Sequence, residues 1–218
     1  MFSLLAITPH DDTAELPWLA PLFANGLERL HVRKPGWSRA ELADYVHAIA
    51  PQHRPRLVLH SHYALVPELG LGGIHLTESA RRAPGLARLL RGLGGRSVSA
   101  SLHSLAELQQ HRRRYSYVTL SPIFNSISKE GYASNFDLAD VQRFLQRMAG
   151  RAGYRPPVLA LGGIEALTIG PVQQAGFAGA AVMGAVWQSA DPVAAWRRVL
   201  VAAGVHASAA SQSFHTGS

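Results

Sequence analysis

The chain is predicted to be an α/β protein, a single (β/α)8 TIM barrel, and three features predict it. Short apolar runs alternate with helical patterns along all but the tail of the 218 residues, the arrangement of parallel strands joined by crossover helices. The last two apolar runs each stop at glycine and lead straight into a helix, as the strands that cradle a phosphate in such barrels do. A hydrophobic content of 47% over 218 residues suffices for one core, with no need of a second domain.

The first strand is expected at 3–8, followed by a helical pattern over 14–25 that stops at Asn25-Gly26. The second strand, 29–33, precedes a helix over 38–50 whose start has capping-box spacing, Ser38 with Glu41. The third, 56–60, leads to a short helix at 63–69, and the fourth, 73–76, to a helix over 84–93. The fifth, 97–101, gives way to a helix over 104–113 with the same spacing in Ser104 and Glu107. The sixth, 117–121, runs into Ser121-Pro122 and a long loop, 123–135, before a helix over 137–149. The seventh, 158–161, closes at Gly162-Gly163 before a helix over 165–175 that stops at Ala175-Gly176. The eighth, 180–183, meets Gly184 and a short helical run at 186–190; Asp191-Pro192 then starts a last helix over 192–203, with proline at its first position. The barrel thus spans 1–204, and the tail 205–218, rich in Ala and Ser without an apolar period, is expected to be disordered.

Chemistry in such a barrel collects at the C-terminal ends of the strands. Here those ends are polar and cationic: His31-Val32-Arg33-Lys34, His60-Ser61-His62, His75, Ser99-Ala100-Ser101, and a loop holding Ser126, Ser128 and Lys129. Arg33 and Lys129 supply charge, and the serines and glycine turns supply neutral donors, a set suited to one polyphosphate and one monophosphate. At Gly162-Gly163 the missing Cβ atoms let the backbone approach an anion, and the following helix presents N–H groups and a positive dipole end. A second turn of the kind follows at Met183-Gly184.

Composition excludes several classes. Without cysteine there is no disulfide, thiolate metal site or Cys nucleophile. The first residues lack the basic region of an export signal and the length of a membrane span, so a cytoplasmic protein with no membrane partner is expected. The net charge of +7 favours anionic ligands, yet its arginines cluster as Arg81-Arg82, Arg112-Arg113-Arg114 and Arg197-Arg198, which read as solvated helix faces. No aromatic-basic stacking pattern accompanies them, so no nucleic-acid partner is expected.

From Leu4 to about Leu200 the chain resembles the thiamine phosphate synthase and TenI-like superfamily. The resemblance rests on His31-Val32-Arg33, Gly73-Ile74-His75-Leu76, Ser101-Leu102-His103-Ser104-Leu105, Ser121 through Lys129, Leu161-Gly162-Gly163-Ile164, and Gly179 through Gly184. It implies a transferase of thiamine biosynthesis that joins hydroxymethylpyrimidine diphosphate to thiazole phosphate, releasing pyrophosphate. It further implies small phosphorylated substrates and Mg²⁺ dependence, and leaves room for a homodimer. Carried over, Arg33 and Lys129 would neutralise the departing diphosphate. Ser126 and Ser128 match threonines of the diphosphate loop, and Ser101 matches a serine near the reacting centre. Gly162, Gly163, Met183 and Gly184 would hold the thiazole phosphate.

The sequence departs from that family at its metal end. An Asn-Asp pair after the third strand is replaced by His60-Ser61, and a second Asp after the fourth by Ala80, so both Mg²⁺ carboxylates are missing and neutral imidazole is a poor substitute. Glu78 would reach in only through a rearranged loop. The usual Gln-x-Arg-x-Lys has become His31-Val32-Arg33-Lys34-Pro35, which moves the lysine by one residue and so to the other face of the strand. Two alternatives follow: a TenI-like thiazole tautomerase, or a non-catalytic binder of thiazole phosphate or thiamine phosphate. The tautomerases' histidine corresponds to Pro122, so His31 or His60 would have to carry the proton, with His60 the catalytic candidate and His31 placed with the substrate-binding groups. An inward-facing trio of His31, His60 and His75 would match a zinc-type site. His75 reads as a core histidine and His103 as part of a helix start, and no residue is assigned to a metal.

Overall fold

Eight strands, all parallel, close into one barrel in sequence order: β1 (Ser3–Ile7), β2 (Leu30–Val32), β3 (Leu57–Leu59), β4 (Gly73–Leu76), β5 (Ser97–Leu102), β6 (Tyr117–Leu120), β7 (Val158–Leu161) and β8 (Gly179–Val182), with β8 pairing back onto β1. The structure, a computed structural model, describes residues 2–10, 12–111, 113–125, 136–150 and 152–205. The helices are α1 (Leu16–Ala24), α2 (Arg39–His47), α3 (Leu65–Glu68), α4 (Glu78–Arg82), α5 (Leu86–Arg91), α6 (Leu105–Gln110), α7 (Leu138–Ala149), α8 (Ala166–Gln174), α9 (Gly184–Trp187) and α10 (Pro192–Ala202). None among the described residues is long and apolar enough to cross a membrane.

Every strand is where the sequence places it, to within a residue at either end. The expected starts are also made. Ser38 and Glu41 form a full capping box, Ser104 Oγ accepts from the Glu107 N–H at 3.1 Å, and Asp191 accepts from the Ala194 N–H at 2.9 Å. Three local expectations are corrected. The helix foreseen over 104–113 ends at Gln110, and Leu108 is its last buried residue. Arg113 and Arg114 therefore sit on a loop, not a helix face. The short run at 186–190 instead starts at Gly184 and ends at Trp187. A further helix, α4, forms where none was foreseen, with Thr77 Oγ1 accepting from the Ala80 N–H.

The pleat sends alternate side chains to two cores. Leu4, Ala6, Leu30, Val32, Leu57, Leu59, Ile74 and Leu76 face outward and pack with the helices in one continuous layer. Leu5, Ile7, Tyr117, Leu159 and Ala181 form a separate cluster inside the barrel. The interior also holds buried polar side chains: His31, His75, Ser99 and Thr119 are all at most 1% exposed. A polar interior beneath a barrel's C-terminal mouth is where a reactive site is built.

Candidate active site

β2, β3 and β4 bring three histidines together. Leu59 is in register with Ile74, so His60, one residue on, comes beside His75, and their rings stack with centroids 4.4 Å apart. His31 lies 2.9 Å from His60, Nδ1 to Nε2, and 2.5 Å from the Tyr117 hydroxyl through Nε2. His75 Nδ1 lies 2.9 Å from Ser99 Oγ and its Nε2 lies 2.8 Å from Ser101 Oγ. Ser99 spends its proton on the Ile74 carbonyl, 3.2 Å away, so it accepts from His75 Nδ1–H. His75 Nε2 then carries the lone pair, facing the Ser101 hydroxyl, which in turn accepts from Thr119 at 3.4 Å.

Burial keeps all three imidazoles neutral. Desolvation lowers His31 well below its ordinary value, aided by His75 and Arg29. It does the same to His60, where His75, His31, Arg33 and His10 add to it. Desolvation, then Arg33, Arg81 and His103, pushes His75 down to about 3.

Arg33 and Lys34 separate at the end of β2. The Arg33 backbone N–H donates to Thr8 Oγ1 at 3.0 Å, and its guanidinium donates to the ring of His10. His10, Met183, Gly184 and Asp12 line one groove between the β1 and β8 loops, so the residue that meets Arg33 and the second glycine turn share a cleft. Lys34 leaves on the other face, as its shifted position predicts. It is buried and pairs with Glu15 at 2.7 Å, its Nζ also donating to the Asp12 carbonyl. Tyr45 donates to the same Glu15 at 2.8 Å, and Trp37 and Tyr45 flank the ammonium.

Gly162 and Gly163 adopt φ of +97° and +61°. A Cβ on Gly162 would meet Pro122 at 2.9 Å, and one on Gly163 would meet Phe124 Cβ at 2.6 Å and the Asn125 carbonyl at 2.7 Å. Both glycines are thus required by the close approach of the segment after β6, whose Phe124 N–H donates to the Gly162 carbonyl. Met183 and Gly184 open α9 directly after β8.

Ser126, Ser128 and Lys129 lie outside the described residues, as does the tail beyond Val205. His103 sits just before α6, its ring 3.2 Å from the Ser121 carbonyl, consistent with a helix start at the rim. His10, Tyr117 and Glu15 belong to this constellation and were not singled out from sequence. The signal for His10 was its place three residues past β1.

Among the described residues the donors do not suit Mg²⁺, which takes hard oxygen ligands. Glu15 is committed to Lys34, Glu78 pairs with Arg82 at 2.8 Å, Glu107 with Arg81 at 3.4 Å, and Asp12 accepts from the Ala14 N–H. What the described residues offer around His60 is imidazole and hydroxyl.

A family model described as thiamine monophosphate synthase matches residues 4–186. The thiamine-phosphate synthase of Bacteroides fragilis is 29% identical over 168 residues, 71% of this chain and 78% of that protein. That of Serratia proteamaculans is 26% identical over 200 residues, 90% of each. Among solved structures, thiamine phosphate pyrophosphorylase from Bacteroides thetaiotaomicron superposes with a TM-score of 0.74 at 25% identity, covering 94% of this chain and 98% of that one. The matched span contains the histidine-lined interior, the Arg33 strand end and both glycine turns, and the chain belongs to the thiamine monophosphate synthase family.

Proposed function

We propose that this chain joins hydroxymethylpyrimidine diphosphate to thiazole phosphate, forming thiamine phosphate and releasing pyrophosphate. One observation carries the reading: His10, which accepts from the Arg33 guanidinium, lines the same cleft as the Met183-Gly184 turn. A diphosphate at Arg33 and a monophosphate at the β7 and β8 turns would then lie side by side. The C–O bond to the diphosphate breaks with its electron pair leaving on pyrophosphate, and the thiazole nitrogen lone pair forms the new C–N bond. Arg33 and, from the loop after β6, Lys129 neutralise the charge that develops on the departing oxygen. Ser126 and Ser128 bind diphosphate oxygens, and Gly162, Gly163, Met183 and Gly184 bind the thiazole phosphate through backbone N–H groups. The test is pyrophosphate release that requires both substrates; release from neither, with thiazole phosphate still bound, overturns it.

A second reading, proton transfer on the same phospho-thiazole, is favoured by the neutral pair His31 and His60, which has one proton and one lone pair between its facing nitrogens. Isomerisation of a thiazole carboxylate phosphate that survives EDTA and is lost in His60→Ala identifies it.

A further inference from the structure

The described donors that do not suit Mg²⁺ suit a different ion. We propose that His31, His60 and His75 bind one divalent transition-metal ion of the zinc class inside the barrel. One ring nitrogen from each residue lies within 4.8 Å of the others. Three neutral imidazoles from adjacent strands make a donor set that zinc-class ions accept and Mg²⁺ does not.

The hydrogen bonds single out the atoms. His75 gives Nδ1–H to Ser99, leaving Nε2 with the free pair of electrons. His31 Nε2 is occupied by Tyr117, leaving Nδ1 directed at His60 Nε2. With His31 Nε2–H given to the Tyr117 oxygen, the one proton between these last two nitrogens belongs to His60 Nε2; the ion takes its place and that proton moves to His60 Nδ1, so three neutral ligands result with no net proton release. With metal–nitrogen bonds of about 2.0–2.1 Å in a tetrahedral site, ligand nitrogens sit about 3.4 Å apart. The 2.9 Å pair must therefore open slightly, and His75 Nε2 must exchange the Ser101 hydroxyl for the ion. Ser99 and Tyr117 remain as outer partners that fix the His75 and His31 rings, the usual second layer of a histidine metal site.

No carboxylate enters the set, so the bound ion keeps its full charge beside Arg33 and Arg29. Its open fourth position is consequently an anion position, held by hydroxide or by a phosphate oxygen of a ligand at the mouth. This inference concerns the free protein and does not depend on which reaction the cleft performs.

The experiment titrates Co²⁺ into the full-length, EDTA-stripped protein and follows the visible bands of four-coordinate cobalt, with Zn²⁺ as competitor and excess Mg²⁺ as control. The proposal expects one equivalent per chain, displaced by Zn²⁺ and indifferent to Mg²⁺. It expects His60→Asn and His75→Asn to weaken binding by about 10–100-fold or more, with folding checked by circular dichroism. His60 lies nearest the mouth, so His60→Asn decides the matter if His75→Asn does not fold. No cobalt band in the folded wild-type protein overturns the proposal. So does an unchanged band in His60→Asn, which would assign the ion to the other histidines of the chain.

Discussion

Arg33 and Lys34 are neighbours in the chain and act on opposite sides of the barrel wall: Arg33 meets His10 at the mouth, while Lys34 is buried against Glu15 at 2.7 Å. One residue of displacement along a strand reverses the face of a side chain, so this lysine holds the β1 loop in place and does not serve the substrate. Lys34→Ala leaves Glu15 charged and buried, and is expected to lower stability by about 3–5 kcal/mol. Urea unfolding measures it; a loss below about 1 kcal/mol would contradict a committed buried pair.

Arg33→Ala should fold like the wild type, since the strand end is held by the backbone bond to Thr8. In the proposed transfer it removes charge from the departing diphosphate, so kcat/KM is expected to fall by about 10²–10³-fold. Steady-state kinetics and a thermal melt together check this, because loss of activity with loss of fold would say nothing about the diphosphate.

Gly163→Ala puts a methyl group against Phe124 Cβ and the Asn125 carbonyl at a φ of +61°. The strain is expected to cost about 1–3 kcal/mol, and the displaced turn to weaken thiazole phosphate binding. Calorimetric titration with thiazole phosphate is the readout; wild-type affinity in a folded variant would remove this turn from the site.

Stability should fall in acid. His31, His60 and His75 have folded pKa values below their ordinary value near 6.5, so the unfolded chain takes up their protons first. The stability they contribute is complete above about pH 6.5 and declines as pH falls, for His75 down to its folded value of about 3. Each fully mismatched histidine contributes a slope of up to about 1.4 kcal/mol per pH unit. Urea midpoints of the metal-free protein at pH 7.5, 6 and 5 should drop steadily, and less so in His31→Gln. A flat profile over that range would contradict neutral burial of the three rings.

Most of the barrel was legible because period-two apolar runs, capping residues and glycine stops are local signals. The reversal of Lys34 was legible too, from the pleat alone. The stacking of His60 on His75 was not, because it depends on the register between β3 and β4, which strand closure sets over the whole barrel. His10 was missed because a loop residue carries no periodicity. α4 was missed because Glu78–Arg82 has no apolar face, only the cap at Thr77. The overrun past Gln110 has the opposite cause: a polar continuation was read as helix beyond Leu108, the last residue the helix buries.

The most direct measurement incubates the purified protein with hydroxymethylpyrimidine diphosphate and thiazole phosphate, with Mg²⁺, with Zn²⁺ and with EDTA, and follows thiamine phosphate by thiochrome fluorescence. Product formation that collapses in Arg33→Ala is the predicted result. No product under any of the three conditions, from protein that still binds thiazole phosphate, would contradict the transferase and leave the cleft to proton transfer or to binding alone.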